Sequence, residues 1–238
     1  MLNPIITPCR NNLHLTRKAI KTFEAQDIDG GVYILVIDNA STDGTAQFLQ
    51  TKRNLATMHF NPPLSVAESW NRGLEFVFRA GAEYAMVVNN DTELHPSSYR
   101  RLVEDGGQFV TLVGRRQMPS VIDEPKPENK RPHPDFSCFL IRRWVWEKVG
   151  PFDENFKIGF CEDGDMDVRM YKAGIRAYCI DFPFLHHGSM TIKNAEPAEI
   201  RKIQIQAEKN REYFKRKWGF AMGSEEYYRA LDKSGPAD

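Results

Sequence analysis

The stretch Val32-Tyr33-Ile34-Leu35-Val36-Ile37-Asp38-Asn39-Ala40-Ser41-Thr42-Asp43-Gly44 decides the fold class. Its first part is an unbroken aliphatic and aromatic run, rich in β-branched residues, which predicts a strand buried on both faces. The run stops at Asp38, where turn-forming residues take over and can also cap a helix over 44–51. Toward the N-terminus, residues 2–7 read as a short strand broken by Pro8. Residues 12–25 read as a helix with Leu15, Ala19, Ile20 and Phe23 at helical spacing. Toward the C-terminus the alternation continues, with a strand at 55–60, a helix at 66–79 and a strand at 84–88 ending at Asn89. Repeated β-α units predict parallel strands with right-handed crossovers, hence an α/β layered sheet.

Beyond this half the pattern is less regular. Helices are expected at 97–105, 142–149, 162–173 and 196–217, and strands at 109–114, 136–141, 175–180 and 182–186. The stretch from Pro119 to Pro134 holds five prolines and many charges, and is expected to be a surface loop or flap. The last twenty residues read as an appendage or a frayed end.

Composition excludes several classes. The chain of 238 residues balances 32 Lys and Arg against 32 Asp and Glu, so no general nucleic-acid surface is expected. No apolar run approaches the ~18 residues needed to span a bilayer, and the N-terminus lacks the pattern of a signal peptide. Cys9, Cys138, Cys161 and Cys179 form no CxxC pair, which predicts free thiols in a reducing, cytoplasmic setting.

Ligands of an open parallel sheet bind beyond the carboxyl ends of its strands. Those ends are Thr7-Pro8-Cys9-Arg10, Asp38 and Asn89-Asn90-Asp91. Asp38 can accept hydrogen bonds from a ribose or base; the plainer alternative is a turn and helix cap. Asp91 offers oxygen ligands to Mg²⁺ or Mn²⁺, or else simply begins a turn. Glu162, Asp163, Asp165 and Asp167 crowd four acids into six positions. Helix capping accounts for one or two of them, while crowding raises carboxyl pKa values and suits one acid to general-base work. Arg169 can pair with Asp165 one turn away. His186-His187 closes a strand, where either imidazole can be a metal ligand or a structural group.

As an ordered set, these residues resemble the family 2 glycosyltransferases. The matching pieces are Ile6-Thr7-Pro8-Cys9-Arg10-Asn11, Val36 through Thr45, Asn71-Arg72-Gly73 and Val88-Asn89-Asn90-Asp91-Thr92. They continue with Gly150-Pro151-Phe152-Asp153-Glu154, Glu162-Asp163-Gly164-Asp165 and His186-His187-Gly188-Ser189, and span roughly residues 3–191. The resemblance implies a GT-A type, Rossmann-like mixed α/β sheet with helices on both faces. A catalytic domain over 1–191 would comprise a nucleotide half (1–95) and an acceptor half (96–191), followed by a helical extension over 192–238.

The same resemblance assigns roles. Thr7, Arg10, Asp38, Asn71, Arg72, Asn89 and Asn90 would hold the nucleotide. Asp91 would bind the metal, with His186 as a further metal or diphosphate ligand and His187 the less favoured choice. Asp163 would be the catalytic base, oriented by Glu162, and the segment from Phe136 to Asp153 would line the sugar and acceptor pocket. The implied reaction is inverting transfer from a nucleotide-diphospho-sugar, UDP first among the bases, to a glycan, glycolipid or protein acceptor, with Mn²⁺ or Mg²⁺ as cofactor. Asn89 replaces the first acid of the family's DxD motif, which removes one charge near the ion. The lack of membrane helices argues against a processive synthase with its own channel. The 196–217 helix is expected to pack on the core, with a homodimer contact or a membrane surface as alternatives. Two rival readings are a non-catalytic nucleotide-sugar-binding module and a sugar nucleotidyltransferase. The latter would need a glycine-rich loop after the first strand, where Thr7-Pro8-Cys9-Arg10-Asn11-Asn12 has no glycine.

Overall fold

The computed structural model describes residues 2–120, 122, 129–188 and 190–232. The first half alternates in the expected order: β1 (Pro4–Cys9), α1 (Leu13–Glu24), β2 (Tyr33–Asn39), α2 (Thr45–Gln50), β3 (Leu55–Phe60), α3 (Val66–Arg79) and β4 (Tyr84–Val88). Pro8 does not break β1 as expected: the strand runs on to Cys9 with Pro8 opposite Ile37, because the fixed φ of proline is compatible with extended backbone. Then come β5 (Thr92–Glu93), α4 (Ser98–Asp105), β6 (Phe109–Arg115), β7 (Cys138–Arg142) and α5 (Arg143–Val149). The chain continues through α6 (Glu162–Lys172), β8 (Ala177–His186), α7 (Met190–Lys193), α8 (Pro197–Trp218) and α9 (Glu225–Ala230).

Among the described residues, eight strands form one sheet in the order β3-β2-β1-β4-β7-β6-β8-β5. β1 pairs in parallel with β2 and β4, and β2 in parallel with β3. β7 runs antiparallel between β4 and β6, while β6 and β8 are parallel, so the sheet is mixed. The carboxyl ends of β1, β2, β4, β6 and β8 therefore share one edge with the start of β7.

Alternation along the central strands builds a core on each face. Ile5, Val36, Met86 and Leu140 face Ile20 and Phe23 of α1 and Leu102 of α4. Ile6, Leu35, Val87 and Phe139 face Trp70 and Leu74 of α3 and Met166 and Met170 of α6. α3 starts with a capping box: Ser65 Oγ accepts from Glu68 N at 3.2 Å, and Glu68 Oε2 accepts from Ser65 N at 2.7 Å. Gly73 lets α3 lie close on β1, since a Cβ there would come within 2.4 Å of Ile6 Cγ2.

The strands expected at 175–180 and 182–186 are one strand, β8. Asp181 and Pro183 look like breakers. However, the β6–β8 register shifts between Thr111 and Val113, and Pro183 stands opposite Val113 at that irregularity, where a missing N–H is tolerated. The C-terminal helices are packed against the body. Phe214 of α8, Tyr227 of α9 and Leu231 form a third buried cluster with Phe156, Cys161 and Val168. Residues 121 and 123–128 of the loop expected at 119–134 lie outside the described residues; near its far end Arg131 bridges Cys179 of β8.

Candidate active site

Two loops, after β1 and after β2, are knit together at the carboxyl edge. Asn11 N donates to Ser41 Oγ at 2.8 Å, Asn11 Oδ1 accepts from Thr42 N at 2.7 Å, and Asp43 Oδ2 accepts from Leu13 N at 2.8 Å. Asn11 and Asn12 adopt left-handed φ values, a conformation that Asn tolerates better than most residues. Asp38 is buried at the end of β2. Its Oδ1 accepts from Ser41 N at 3.3 Å, and its Oδ2 lies 3.0 Å from His59 Nδ1. His59 stands directly opposite Asp38 in the β2–β3 ladder and is itself well exposed, so it brings an imidazole to this edge. Arg10 pairs with Glu199 of α8 at 2.8 Å. Thr7 is fully buried inside the sheet, and its hydroxyl has no hydrogen-bond partner among the described residues.

The centre of the edge follows β4. Asn89 N donates to Ser137 O at 3.0 Å, fixing the turn to the start of β7. Asn90 Nδ2 donates to Thr16 Oγ1 of α1 at 2.9 Å. The short strand β5 then pairs antiparallel with the end of β8, setting Thr92 opposite His186. As a result Asp91 Oδ1 lies 3.4 Å from His186 Nε2, while Asp91 Oδ2 accepts from Met190 N at 3.2 Å. Burial pushes the Asp91 carboxyl up, but hydrogen bonding and charge attraction from His186 outweigh it and hold the group below its ordinary value. His187 turns instead to Glu93, with Nε2 2.9 Å from Oε1.

Farther along the chain, α6 presents its acids in its first turn. Glu162 is buried, and its Oε2 has no hydrogen-bond partner among the described residues. Asp163 Oδ1 accepts from Gly164 N at 2.8 Å. Both carboxyls titrate above the ordinary range because burial disfavours their charge; for Glu162 the charge of Asp163 adds to this, and for Asp163 the charges of Asp167 and Asp135. Asp165 is fully buried and structural. It receives Arg169 Nε at 2.8 Å, Trp218 Nε1 at 3.0 Å and Lys217 Nζ at 2.7 Å.

Asn71 and Arg72 are not brought to this edge group. Asn71 exchanges hydrogen bonds with Phe152 N and O and reaches Glu154, pinning the loop before α6, while Arg72 is exposed beside Glu75. An open cavity of about 470 Å³ beside that loop is lined by Asn71, Asp153, Arg169 and Lys217, among others, and by none of Asp38, Asp91, Asp163 or His186. Phe136, Phe139 and Phe152 pack around Trp70 rather than opening to solvent. His59 and Asp135 escaped the sequence reading. A register argument pairing β2 with β3 could have found His59; Asp135 has no local signal.

Asp91 and His186 are near enough to each other that both could ligate one divalent ion. Two donor atoms 3.4 Å apart can both lie about 2.1 Å from one ion, and Mg²⁺-type sites commonly take one or two protein groups plus phosphate oxygens. Among the described residues no group of three His, Cys, Asp or Glu converges, so most of the coordination would have to come from ligand and water.

Comparison with known proteins bears on the family and the fold. The model of glycosyl transferase family 2 matches residues 5–164. Curated relatives include the N-acetylglucosaminyl-diphospho-decaprenol L-rhamnosyltransferases of two Mycobacterium tuberculosis strains, 27% identical. Each match covers 66% of this chain and 66% of the relative, so the chain spans just under two thirds of their length. Similar solved structures include S. aureus TarS 1–349 in complex with UDP (TM-score 0.60, 19% identity, 96% of this chain and 77% of that one). Another is the mannosyltransferase PcManGT from Pyrobaculum calidifontis in complex with GDP-Man and Mn²⁺ (TM-score 0.59, 17% identity, 79% and 57%). The family match shows that the chain belongs to glycosyl transferase family 2, and its mixed sheet is that of the GT-A fold.

Proposed function

We propose that this chain transfers a sugar, with inversion, from a nucleoside diphosphate donor to an acceptor hydroxyl, with Asp163 as general base and a divalent ion at Asp91 and His186. The observation that carries the reading is the meeting of Asp91 and His186 across the β5–β8 pair, 95 residues apart in sequence, on the same edge as Asp38. UDP is the first candidate for the donor nucleotide, with thymidine and guanosine diphosphates as alternatives. The complexes of TarS with UDP and of PcManGT with GDP-Man and Mn²⁺ support a nucleoside diphosphate and a metal. The relatives' name supports an acceptor sugar carried on a lipid diphosphate, with other glycans and proteins as further candidates.

In this reading Asp38, His59 and Arg10 flank the nucleoside, and the Asn89-Asn90 turn presents Asp91 to the diphosphate. When bound, Mn²⁺ or Mg²⁺ would supply positive charge against the departing diphosphate. Asp163 takes the proton of the acceptor hydroxyl as its oxygen bonds to the anomeric carbon. The bond from that carbon to the diphosphate oxygen breaks, and its electron pair leaves with the nucleotide. A raised pKa makes Asp163 a stronger base once ionised; burial raises it, and the charges of Asp167 and Asp135 add to the shift. The four cysteines are free and buried, in keeping with a cytoplasmic setting, and no helix among the described residues is long and apolar enough to cross a membrane.

The test is a transfer assay with a panel of UDP-, dTDP- and GDP-sugars and lipid-diphosphate-linked or free sugar acceptors, with product configuration read by NMR. Release of nucleoside diphosphate with inversion at the anomeric carbon is expected. Retention of configuration would exclude single displacement. Binding without release would favour the non-catalytic reading.

A further inference from the structure

The dipeptide Glu162-Asp163 is delivered by a contorted loop. Ile158, Phe160 and Cys161 all adopt left-handed φ, at 64°, 76° and 72°. Such values are rare for bulky or β-branched side chains, whose Cβ is strained there. Gly159 N also donates to Lys157 O at 2.8 Å. With positive φ at Ile158, this is a γ-turn of the rare, strained kind. Ile158 and Phe160 are moreover exposed, so their own side-chain burial does little to hold the loop in place.

A strained segment persists only where its surroundings over-determine it. One side of the support is Val66 N at the start of α3, which donates to Ile158 O at 2.8 Å. The other side is a single residue of α8. Asn210 is 1% exposed, and its Nδ2 lies 2.9 Å from Lys157 O, 2.7 Å from Gly159 O and 3.2 Å from Phe160 O. Its Oδ1 accepts from Gln206 Nε2 at 2.8 Å, which fixes the amide with its donor face toward the loop. An asparagine in mid-helix is a weak helix former. Here its amide group gathers three carbonyls of one loop, including the acceptor of the γ-turn. Cys161, the last strained residue, is the N-cap of α6, and its carbonyl receives Asp165 N at 3.0 Å. The path from Asn210 to Asp163 is therefore one short, continuous piece of backbone.

We infer that Asn210 is a positioning residue, which holds the 157–161 loop in its strained form and so sets buried Glu162 and half-buried Asp163 in their catalytically aligned placement. This rests on Asp163 being the general base. The C-terminal helix is then part of the catalytic unit: the residue that disciplines the base comes from outside the segment that matches the family model.

The test compares wild-type protein with Asn210→Leu, which has no donor, and Asn210→Ser, which keeps a shorter one. The direct readouts need no substrate: hydrogen exchange of residues 157–165, and titration of the carboxyls of Glu162 and Asp163 by ¹³C NMR. Asn210→Leu is expected to speed exchange at least tenfold in that segment alone and to move both carboxyls toward the ordinary range. Asn210→Ser should fall between the two. Adding Ile158→Gly, which removes the penalty for positive φ, should restore protection in part, and it keeps the test alive should Asn210→Leu not fold alone. UDP affinity by calorimetry should stay unchanged. UDP release from a mixture of UDP-glucose, UDP-galactose and UDP-N-acetylglucosamine with Mn²⁺ should slow by about 10- to 100-fold, the usual effect of a misplacement near 1 Å. Unchanged exchange and carboxyl titration, or faster exchange spread evenly over the molecule, would overturn the inference. Asp163→Asn measured alongside separates the failures: if it keeps wild-type turnover, the base assignment falls and this inference with it. If it is inactive while Asn210→Leu behaves as wild type, only the clamp is refuted.

Discussion

Thr92 stands opposite His186 in the two-residue pairing of β5 with β8, and this ladder carries the imidazole to 3.4 Å from Asp91. A strand of two residues contributes little to the stability of the sheet. Its consequence is positional, because it joins the end of the nucleotide half to the end of the last strand at one point on the carboxyl edge.

Replacing Asp163 with Asn removes the proton acceptor but keeps the size of the side chain and its place in the first turn of α6. The expected outcome is a fall in kcat of about 10²- to 10⁴-fold, with nucleoside diphosphate affinity nearly intact. Steady-state kinetics beside calorimetry check this. An equal loss of turnover and binding would make Asp163 a structural residue.

Burial raises the Glu162 carboxyl, with the charge of Asp163 adding to it, so the folded protein holds this proton more tightly than the unfolded chain. The sign follows from linkage. The stabilisation is complete below the unfolded value of about 4.3 and is lost as pH rises through the higher folded value. Glu162→Gln mimics the protonated form. Its Tm should therefore rise relative to wild type as pH increases, by about 2–4 °C for each kcal/mol of strain relieved. Parallel Tm–pH curves for the two proteins would contradict it.

Asp153 behaves in the opposite sense. Burial alone would raise its pKa, but hydrogen bonds from Lys217, Asn155 N and Tyr213, together with the Lys217 charge, lower it to about 2. Lys217 Nζ lies 2.6 Å from Asp153 and 2.7 Å from Asp165, so this lysine ties α8 to the loop before α6 and to α6 itself. The contribution is present above the unfolded value of about 3.9 and disappears as pH falls through about 2. Asp153→Asn should cost about 1 kcal/mol at pH 6, and the gap from wild type should close between pH 4 and pH 2. A constant gap across acid denaturation curves would refute the assignment.

The nucleotide half was legible because its strands are continuous apolar runs and its helices show clear apolar faces, as in Val32–Ile37 and Leu15–Phe23. The strand ends then located Asp38 and Asp91 without any contact information. Four features were hidden. β5 is too short to carry a pattern. β8 was split by Asp181 and Pro183, whose breaker chemistry is absorbed at a register shift. α9 lies in a polar stretch, and its place is set by Tyr227 reaching Asp167 and packing on Phe214. The positive φ values of Ile158, Phe160 and Cys161 run against the preference of each residue, and they exist because a distant asparagine accommodates them. Local preference exposes the scaffold, whereas the contacts that orient the acids come from tertiary pairing.

We propose that Asp91 and His186 engage a nucleoside diphosphate through a divalent ion. Calorimetric titration of UDP, dTDP and GDP into wild-type protein and Asp91→Ala, with and without Mn²⁺, tests it most directly. The account predicts that one diphosphate binds wild-type protein at least tenfold more tightly with Mn²⁺, and that Asp91→Ala abolishes this enhancement while leaving most metal-free binding intact. Equal Mn²⁺ enhancement in the two proteins, or no binding of any diphosphate by folded wild-type protein, would contradict it.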